Sequence, residues 1–150
     1  MLSLGEEVFA IGRSRFEDKL PTVPEETAKL YVSVRFKGSD RNFFAQLDTG
    51  AAWSVLDSAT AELIGAAGQK GVVTSISSRF GLMHGTLVRI PLTFEADEGE
   101  SLELEGTFFL CPDWPPGRLF LGYGGLLERI RFAADPQANH FYFGPPGPSE

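Results

Sequence analysis

The feature that most constrains the fold is the alternation of apolar and polar residues in two segments. In residues 28–37 ("AKLYVSVRFK") one face is apolar and the other polar: Leu30, Val32, Val34 and Phe36 against Lys29, Ser33, Arg35 and Lys37. Residues 82–94 ("LMHGTLVRIPLTF") repeat the pattern, with Val88, Ile90, Leu92 and Phe94 on one face. A period of two is that of a half-buried β-strand. We therefore predict a β-rich chain.

Composition supports this fold class. Thirteen Phe, seventeen Gly and ten Pro favour β-structure with many turns. Further strands are predicted from apolar runs at 43–47, 70–77, 101–110, 118–122, 131–135 and 140–144. Short helices are predicted at 57–65, with Asp57 or Ser58 as N-cap and Gly65 as the end, and at 125–130. A length of 150 residues suits one domain. We expect a poorly specified N-terminal arm over 1–27, a domain over 28–144 and a disordered tail over 145–150.

Charge and cysteine content narrow the possible partners. The formal net charge of −7 argues against nucleic acid or an anionic membrane, since both attract basic patches. Cys111 is the only cysteine, so no intrachain disulfide can form. This fits a reducing compartment, and we expect a cytoplasmic protein. We expect neither a signal peptide nor a membrane-spanning segment, because no basic start precedes an apolar stretch and no apolar run reaches 18 residues.

The strongest candidate site is Asp48-Thr49-Gly50. The carboxylate of Asp48 ends the apolar run 43–47, and the small Ala51 follows. A buried charge is costly unless it is paired or protonated, so Asp48 either caps a turn or is held for chemistry. The tripeptide alone favours the turn. About 70 residues later, "LFLG" and a short amphipathic helix follow.

These segments resemble the retropepsin-like aspartic protease family, in the form of a single-domain, bacterial-like member. The residues that carry the resemblance are "LDTGAAWSVLD" at 47–57, "SSRFGLMHG" at 77–85, "LFLGYGGLLERI" at 119–130 and "FYFG" at 141–144. The resemblance covers residues 28–144. It implies an all-β acid-protease barrel, closed or nearly closed, with one or two short helices.

The resemblance also implies an aspartic endopeptidase, most active at acid to mildly acid pH. Two carboxylates about 3 Å apart share a proton, so that one acts as base on water and the other as acid toward the carbonyl oxygen. Only Asp48 precedes Thr-Gly or Ser-Gly here. The second carboxylate must then come from a second copy, in a symmetric homodimer that acts on a peptide or protein. No cofactor and no metal is expected.

The family pattern assigns further roles around Asp48. Thr49 hydrogen-bonds across the dimer, Gly50 lets backbone approach, and Ala51 keeps the space small. In the supporting loop, Leu121 packs under the active loop and Gly122 permits a tight turn. A rival interpretation of Gly122, Gly124 and Gly125 as a nucleotide-binding turn fails, because the fingerprint needs a glycine where Leu127 stands.

The hairpin at 75–85 is the expected flap. Phe80 would cover the substrate, and Gly81 would supply bending freedom. The alternative is a plain hairpin with an exposed aromatic residue. Trp53 either packs in the core or forms the wall of a specificity pocket. We further expect the strand 140–144 to pair at the dimer interface, with pairing inside its own chain as the alternative.

Two positions depart from the family pattern. Viral members usually carry an acidic residue after Asp-Thr-Gly-Ala and an arginine after the later Gly, where this chain has Ala52 and Tyr123. The departure leaves a second hypothesis open. In that alternative the fold serves as a catalytically weak or inactive peptide-binding or dimerisation module.

Overall fold

The predicted all-β class is confirmed. A computed structural model describes residues 1–147, in which one α-helix, α1 (Ser58–Leu63), and a single 3-10 turn (Leu127–Arg129) accompany thirteen strands. The strands are β1 Leu2–Leu4, β2 Glu7–Ala10, β3 Gly12–Arg15, β4 Tyr31–Phe36, β5 Asn42–Leu47, β6 Ser54–Leu56, β7 Val72–Ser78, β8 Gly81–Phe94, β9 Glu98–Gly99, β10 Leu102–Leu110, β11 Phe120–Leu121, β12 Arg131–Asp135 and β13 His140–Gly144.

Six strands close into a barrel-like ring. Their order is β10-β6-β11-β5-β4-β8, and the ring closes because β10 pairs with β6 on one edge and with β8 on the other. The β10–β6 and β11–β5 pairs are parallel, and the others are antiparallel. The apolar faces of the two alternating segments fill the ring, with Val32, Val34, Phe36, Val88, Ile90, Leu92 and Phe94 all buried.

A hairpin extends from this ring. The second half of β8 belongs to the ring, whereas residues 81–85 pair with β7 alone, and Thr86 and Leu87 pair with both β7 and β10. The turn between the two strands brings Ser78 opposite Gly81. Gly81 adopts φ +97°, a left-handed conformation that residues with a Cβ rarely take. The predicted hairpin is confirmed, and we call residues 72–87 the flap hairpin.

The N-terminal 27 residues are more ordered than expected. They contain β1, β2 and β3, and β3 pairs with β13. The signal was weak because these strands have only three or four residues each. The division of the chain between residues 27 and 28 stays a prediction. Residues 148–150 of the expected tail lie outside the described residues.

The expected dimer-interface role of residues 140–144 is wrong. Strand β13 lies between β12 and β3, so both of its edges are hydrogen-bonded within the same chain. Phe141 and Phe143 are fully buried and pack against Phe94, with ring centroids 5.8 and 5.6 Å from it. Burial inside the fold thus explains the aromatic residues of this strand.

The helices of the structure are short. In the part of the chain that the structure describes, no helix is both long and apolar enough to cross a membrane.

Phe143→Ala is expected to lower the free energy of unfolding by about 3–5 kcal/mol, because a fully buried aromatic ring is lost and a cavity remains. Phe44→Ala is the matched control, since Phe44 lies on β5 with 37% of its surface exposed. Urea unfolding of both variants measures the difference. Equal losses in the two variants would contradict the assignment of β13 to the core.

Candidate active site

The position of Asp48 is fixed by the end of β5. Strands β5 and β11 run parallel, with Leu47 opposite Leu121, and the backbone N–H of Asp48 extends this pairing by donating to the carbonyl of Leu121 at 2.9 Å. Asp48 is half-buried, while Thr49 and Gly50, which follow it directly, are exposed. The carboxylate therefore lies at the surface of the barrel, at the hydrogen-bonded end of β5.

The loop after Asp48 closes on the carboxylate. The N–H of Gly50 donates to Oδ1 of Asp48 at 3.0 Å, and the N–H of Ala51 donates to the Asp48 carbonyl at 3.2 Å. This turn matches the Asx turn that the tripeptide alone predicts. A Cβ on Gly50 would meet only Oδ1 of Asp48, at the ordinary contact distance of 3.4 Å. The space beside Gly50 is therefore open, and its own chain does not require a glycine there.

A second loop runs against the first. The N–H groups of Tyr123 and Gly124 donate to the carbonyls of Ala51 and Ala52, both at 2.9 Å. A Cβ on Gly124 would lie 2.3 Å from the Ala52 carbonyl oxygen, and one on Gly122 would lie 2.4 Å from the Trp53 carbonyl. Close packing of two backbones therefore accounts for both glycines.

Ser54 joins the two loops, a role that the sequence analysis missed. Its side chain is fully buried, and its Oγ accepts the N–H of Gly122 at 2.9 Å. A buried N–H without a partner is costly, so this hydroxyl holds the supporting loop in register. The available signal was a hydroxyl residue inside the otherwise apolar run 53–56.

A groove of about 590 Å³ opens above Asp48. Of the predicted site residues, Asp48, Gly50, Ala51 and Trp53 line it, whereas Thr49, Phe80, Gly81, Leu121 and Gly122 lie outside its lining. Trp53 is half-buried and also packs against a small apolar cluster. It thus serves as groove wall and as packing residue at once. The groove is also lined by residues 76–79, which belong to the expected flap, and by four residues that the sequence analysis did not assign to the site: Lys29, Gln46, Trp114 and Phe120.

The flap hairpin supplies one wall of the groove. Residues 76–79 line it, and at the turn the ring of Phe80 meets Trp114 edge-on at 5.1 Å. Phe80 keeps 36% of its surface exposed. The turn of the hairpin is thus folded onto the loop that precedes β11.

An ion-pair cluster fastens that turn. Oε1 of Glu25 accepts from Nη2 of Arg79 at 2.9 Å and from Nη1 of Arg118 at 2.6 Å. The hydrogen bond from Arg118, followed by that from Arg79, holds the pKa of Glu25 below its ordinary value. Burial, followed by the charge of Glu25, raises the pKa of Tyr31. Sequence patterns could not reveal this cluster, because its members are far apart in the chain.

Metal-type side chains do not gather near the groove. His84 Nδ1 lies 2.7 Å from Ser75 Oγ on the flap hairpin, and His140 lies on β13. Within residues 1–147 no three His, Cys, Asp or Glu side chains are placed to hold a metal ion.

Ser54→Ala is expected to lower the free energy of unfolding by about 1–3 kcal/mol, because the buried N–H of Gly122 loses its acceptor. Ser58→Ala, at an exposed position of α1, is the matched control. Chemical denaturation measures both variants. A loss no larger than that of the control would show that Ser54 does not join the two loops.

Comparison with known proteins supports the fold. No family model and no curated protein sequence matches the chain. Among solved structures, a retropepsin-like aspartic protease from Rickettsia conorii is 16% identical and superposes with a TM-score of 0.57, over 88% of this chain and 98% of that one. The retroviral protease-like domain of Ddi1 from Leishmania major is 17% identical, with a TM-score of 0.49 over 81% of this chain and 97% of that domain. The EIAV protease, solved with the inhibitor HBY-793, is 23% identical and covers 67% of this chain and 86% of that one, with a TM-score of 0.39. The match to the Rickettsia conorii protein shows that the chain has a retropepsin-like fold.

Proposed function

We propose that the protein is a homodimeric aspartic endopeptidase. The observation that carries the proposal is the setting of Asp48, a half-buried carboxylate on the floor of a groove of about 590 Å³, in a retropepsin-like fold. The volume of the groove lies within the range of roughly 300–1,000 Å³ that is typical of ligand-binding clefts, and the flap hairpin forms one of its walls. The Gly50 N–H fixes the carboxylate through Oδ1 and leaves Oδ2 for the reaction.

The chemistry requires a second carboxylate. Peptide hydrolysis needs a base for the attacking water and an acid for the carbonyl oxygen, and one carboxyl group cannot be both at once. Among the charged side chains that line the groove, Asp48 is the only acid, beside Lys29 and Arg79. A second copy of the chain supplies the other acid in this proposal, with the two Asp48 side chains related by a two-fold axis.

The reaction then follows from one shared proton. The ionised Asp48 takes a proton from water, whose oxygen attacks the carbonyl carbon, while the protonated Asp48 of the second copy donates to the carbonyl oxygen. The tetrahedral intermediate collapses as the amide C–N bond breaks: the leaving nitrogen takes the proton that the first carboxylate had accepted, and the second carboxylate takes back a hydroxyl proton as the new carbonyl forms. The pair as a whole carries one proton at the active pH, so activity belongs to acid to mildly acid conditions.

The open space beside Gly50 supports this arrangement. Thr49, Gly50 and Ala52 are exposed, and a Cβ at position 50 would meet nothing but Asp48 itself. A substrate backbone or the loop of a second copy can therefore approach closely. We assign Thr49 to the contact between the two loops, Trp53 to the wall of a side-chain pocket, and Phe80 and Gly81 to the turn of a mobile flap.

Asp48→Asn is expected to lower peptide cleavage by at least about 10²-fold, since the amide cannot take up the water proton. The amide oxygen still accepts the Gly50 N–H, so the loop is retained. The assay is a peptide-library digest from pH 3 to 7, with a statine-type inhibitor as a second probe. Asp40→Asn, on an exposed turn, is the matched control. Peptide binding without cleavage at any pH would favour the alternative of an inactive binding module.

Mixing experiments test the shared dyad. An excess of the Asp48→Asn chain added to the wild type is expected to suppress cleavage, because mixed dimers hold one carboxylate instead of two. The same excess of Asp40→Asn chain is expected not to suppress it. Sedimentation velocity on the same samples reports the oligomeric state. Full activity in a strictly monomeric sample would overturn the mechanism.

A further inference from the structure

A carboxylate is already bound at the rim of the groove. Both Arg79 and Arg118 donate to the same oxygen of Glu25, Oε1, at 2.9 and 2.6 Å. The side chains of Glu25 and Arg118 each keep only 16% of their surface exposed, and that of Arg79 keeps 48%. The three residues come from different parts of the chain: the lead-in to β4, the flap turn and the loop before β11.

The two guanidinium groups have partners other than Glu25. The Cζ of Arg79 lies 4.9 Å from the centre of the Phe80 ring and 5.7 Å from that of Phe120, and the Cζ of Arg118 lies 5.8 Å from the Phe80 ring. Aromatic faces attract and orient guanidinium groups. The contacts of the two arginines with the Phe80 ring therefore do not involve Glu25. Without the Glu25 carboxylate, the two like charges at this ring would favour the binding of another anion.

This pair of arginines adjoins the groove that holds Asp48. Arg79 and Phe120 line the groove directly, and Trp114, against which Phe80 packs, lines it as well. The chain carries 20 acidic and 13 basic side chains, yet the groove lining has Lys29 and Arg79 against a single acid, Asp48. This end of the groove therefore favours negative charge, in contrast to the molecule as a whole.

We propose that Arg79 and Arg118 form a carboxylate-binding subsite at the rim of the groove, which Glu25 fills in the free chain and an acidic side chain of a bound peptide takes over. The evidence for a carboxylate site is the pair of hydrogen bonds from Arg79 and Arg118 to Glu25. Its use by a peptide rests on the proposed function.

Occupation by Glu25 also fastens the flap turn. Glu25 joins the turn at Arg79 and the loop at Arg118 to the lead-in to β4, so an incoming acid that displaces Glu25 releases that lead-in while it keeps the turn and the loop bridged. The charged and titratable groups that face Glu25 are Arg79, Arg118 and the hydroxyl of Tyr31. The two arginines lower the pKa of Glu25. The ion pairs of Glu25 therefore contribute fully to the stability of the folded state above the ordinary Glu pKa of about 4.3, and this contribution is lost as the pH falls through the lowered pKa of the folded state. Glu25 therefore competes with a peptide carboxylate for the two arginines throughout the mildly acid pH range.

The test uses the Nε–H signals of Arg79 and Arg118 in two-dimensional NMR spectra of the full chain at pH 6. The probes are N-acetylglutamate amide and its uncharged counterpart N-acetylglutamine amide. In Glu25→Gln we expect the glutamate probe to shift both signals saturably and the glutamine probe to leave them unmoved. In the wild type, we expect saturation to need about tenfold or more probe, because a tethered competitor acts at an effective concentration in the millimolar range.

Two controls make the result decisive. Glu26→Gln removes the same charge one position along, at an exposed residue, and is expected to behave as the wild type. Arg79→Gln in the Glu25→Gln chain is expected to abolish the shift of the Arg118 signal. If the glutamate probe moves neither signal in Glu25→Gln, or if both probes act equally, the subsite does not exist. Since no step requires cleavage, this result stands apart from success or failure of the proposed function.

A second readout connects the subsite with peptide binding. Labelled octapeptides that carry one Glu at each position in turn are compared with their Gln counterparts by fluorescence polarisation, using Asp48→Asn so that nothing is cleaved. We expect one position at which Glu binds more tightly than Gln, with the difference enlarged in Glu25→Gln and lost in Arg79→Gln. Peptide binding without such a position would overturn the role in recognition, while an absence of any peptide binding would count against the proposed function as well.

Discussion

The parallel pairing of β5 with β11 is the constraint on which the candidate site depends. It sets Leu47 opposite Leu121, and the Asp48 N–H continues it by one hydrogen bond to the Leu121 carbonyl. Since β11 also pairs with β6, the strands before and after the Asp48 loop are both held by one short strand. The ring could not close, and the carboxylate would have no fixed position, without those two residues of β11.

The same constraint explains the composition of the supporting loop. The backbone at 123–124 donates hydrogen bonds to the carbonyls of Ala51 and Ala52. This close approach leaves no room for a side chain, so Gly122 and Gly124 are required by packing. Gly50 differs, because its Cβ position is open. Glycine is therefore present at these positions for two different physical reasons. Gly122 and Gly124 are required by backbone packing within the chain, whereas Gly50 leaves open space that a substrate or a second copy of the chain can occupy.

The sequence predicted what depends on local periodicity and on short motifs. Strands β4, β8 and β10, the flap hairpin and the turn at Asp48 all follow from alternation or from turn residues. The ordered N-terminal strands, the hydroxyl of Ser54 and the cluster around Glu25 did not follow. Each of these depends on partners far away in the chain, such as the 68 positions between Ser54 and Gly122. Alternation reports which face is buried, but it does not report which strand or which charge lies opposite.

Strand pairing also limits how a second copy can reach Asp48. The six strands of the ring have paired edges, and β13 is paired on both sides, so neither offers a free edge beside the carboxylate. In the proposed dimer, the ring and β13 therefore offer no edge for strand pairing, and the loops that surround Asp48 are the surface nearest to the carboxylate. The exposed surface there consists of Thr49, Gly50, Ala52 and the half-exposed ring of Tyr123. None of these side chains is charged. The two copies are therefore expected to meet through backbone and apolar contacts. Because each copy carries a formal net charge of −7, added salt should screen the repulsion between them and strengthen their association.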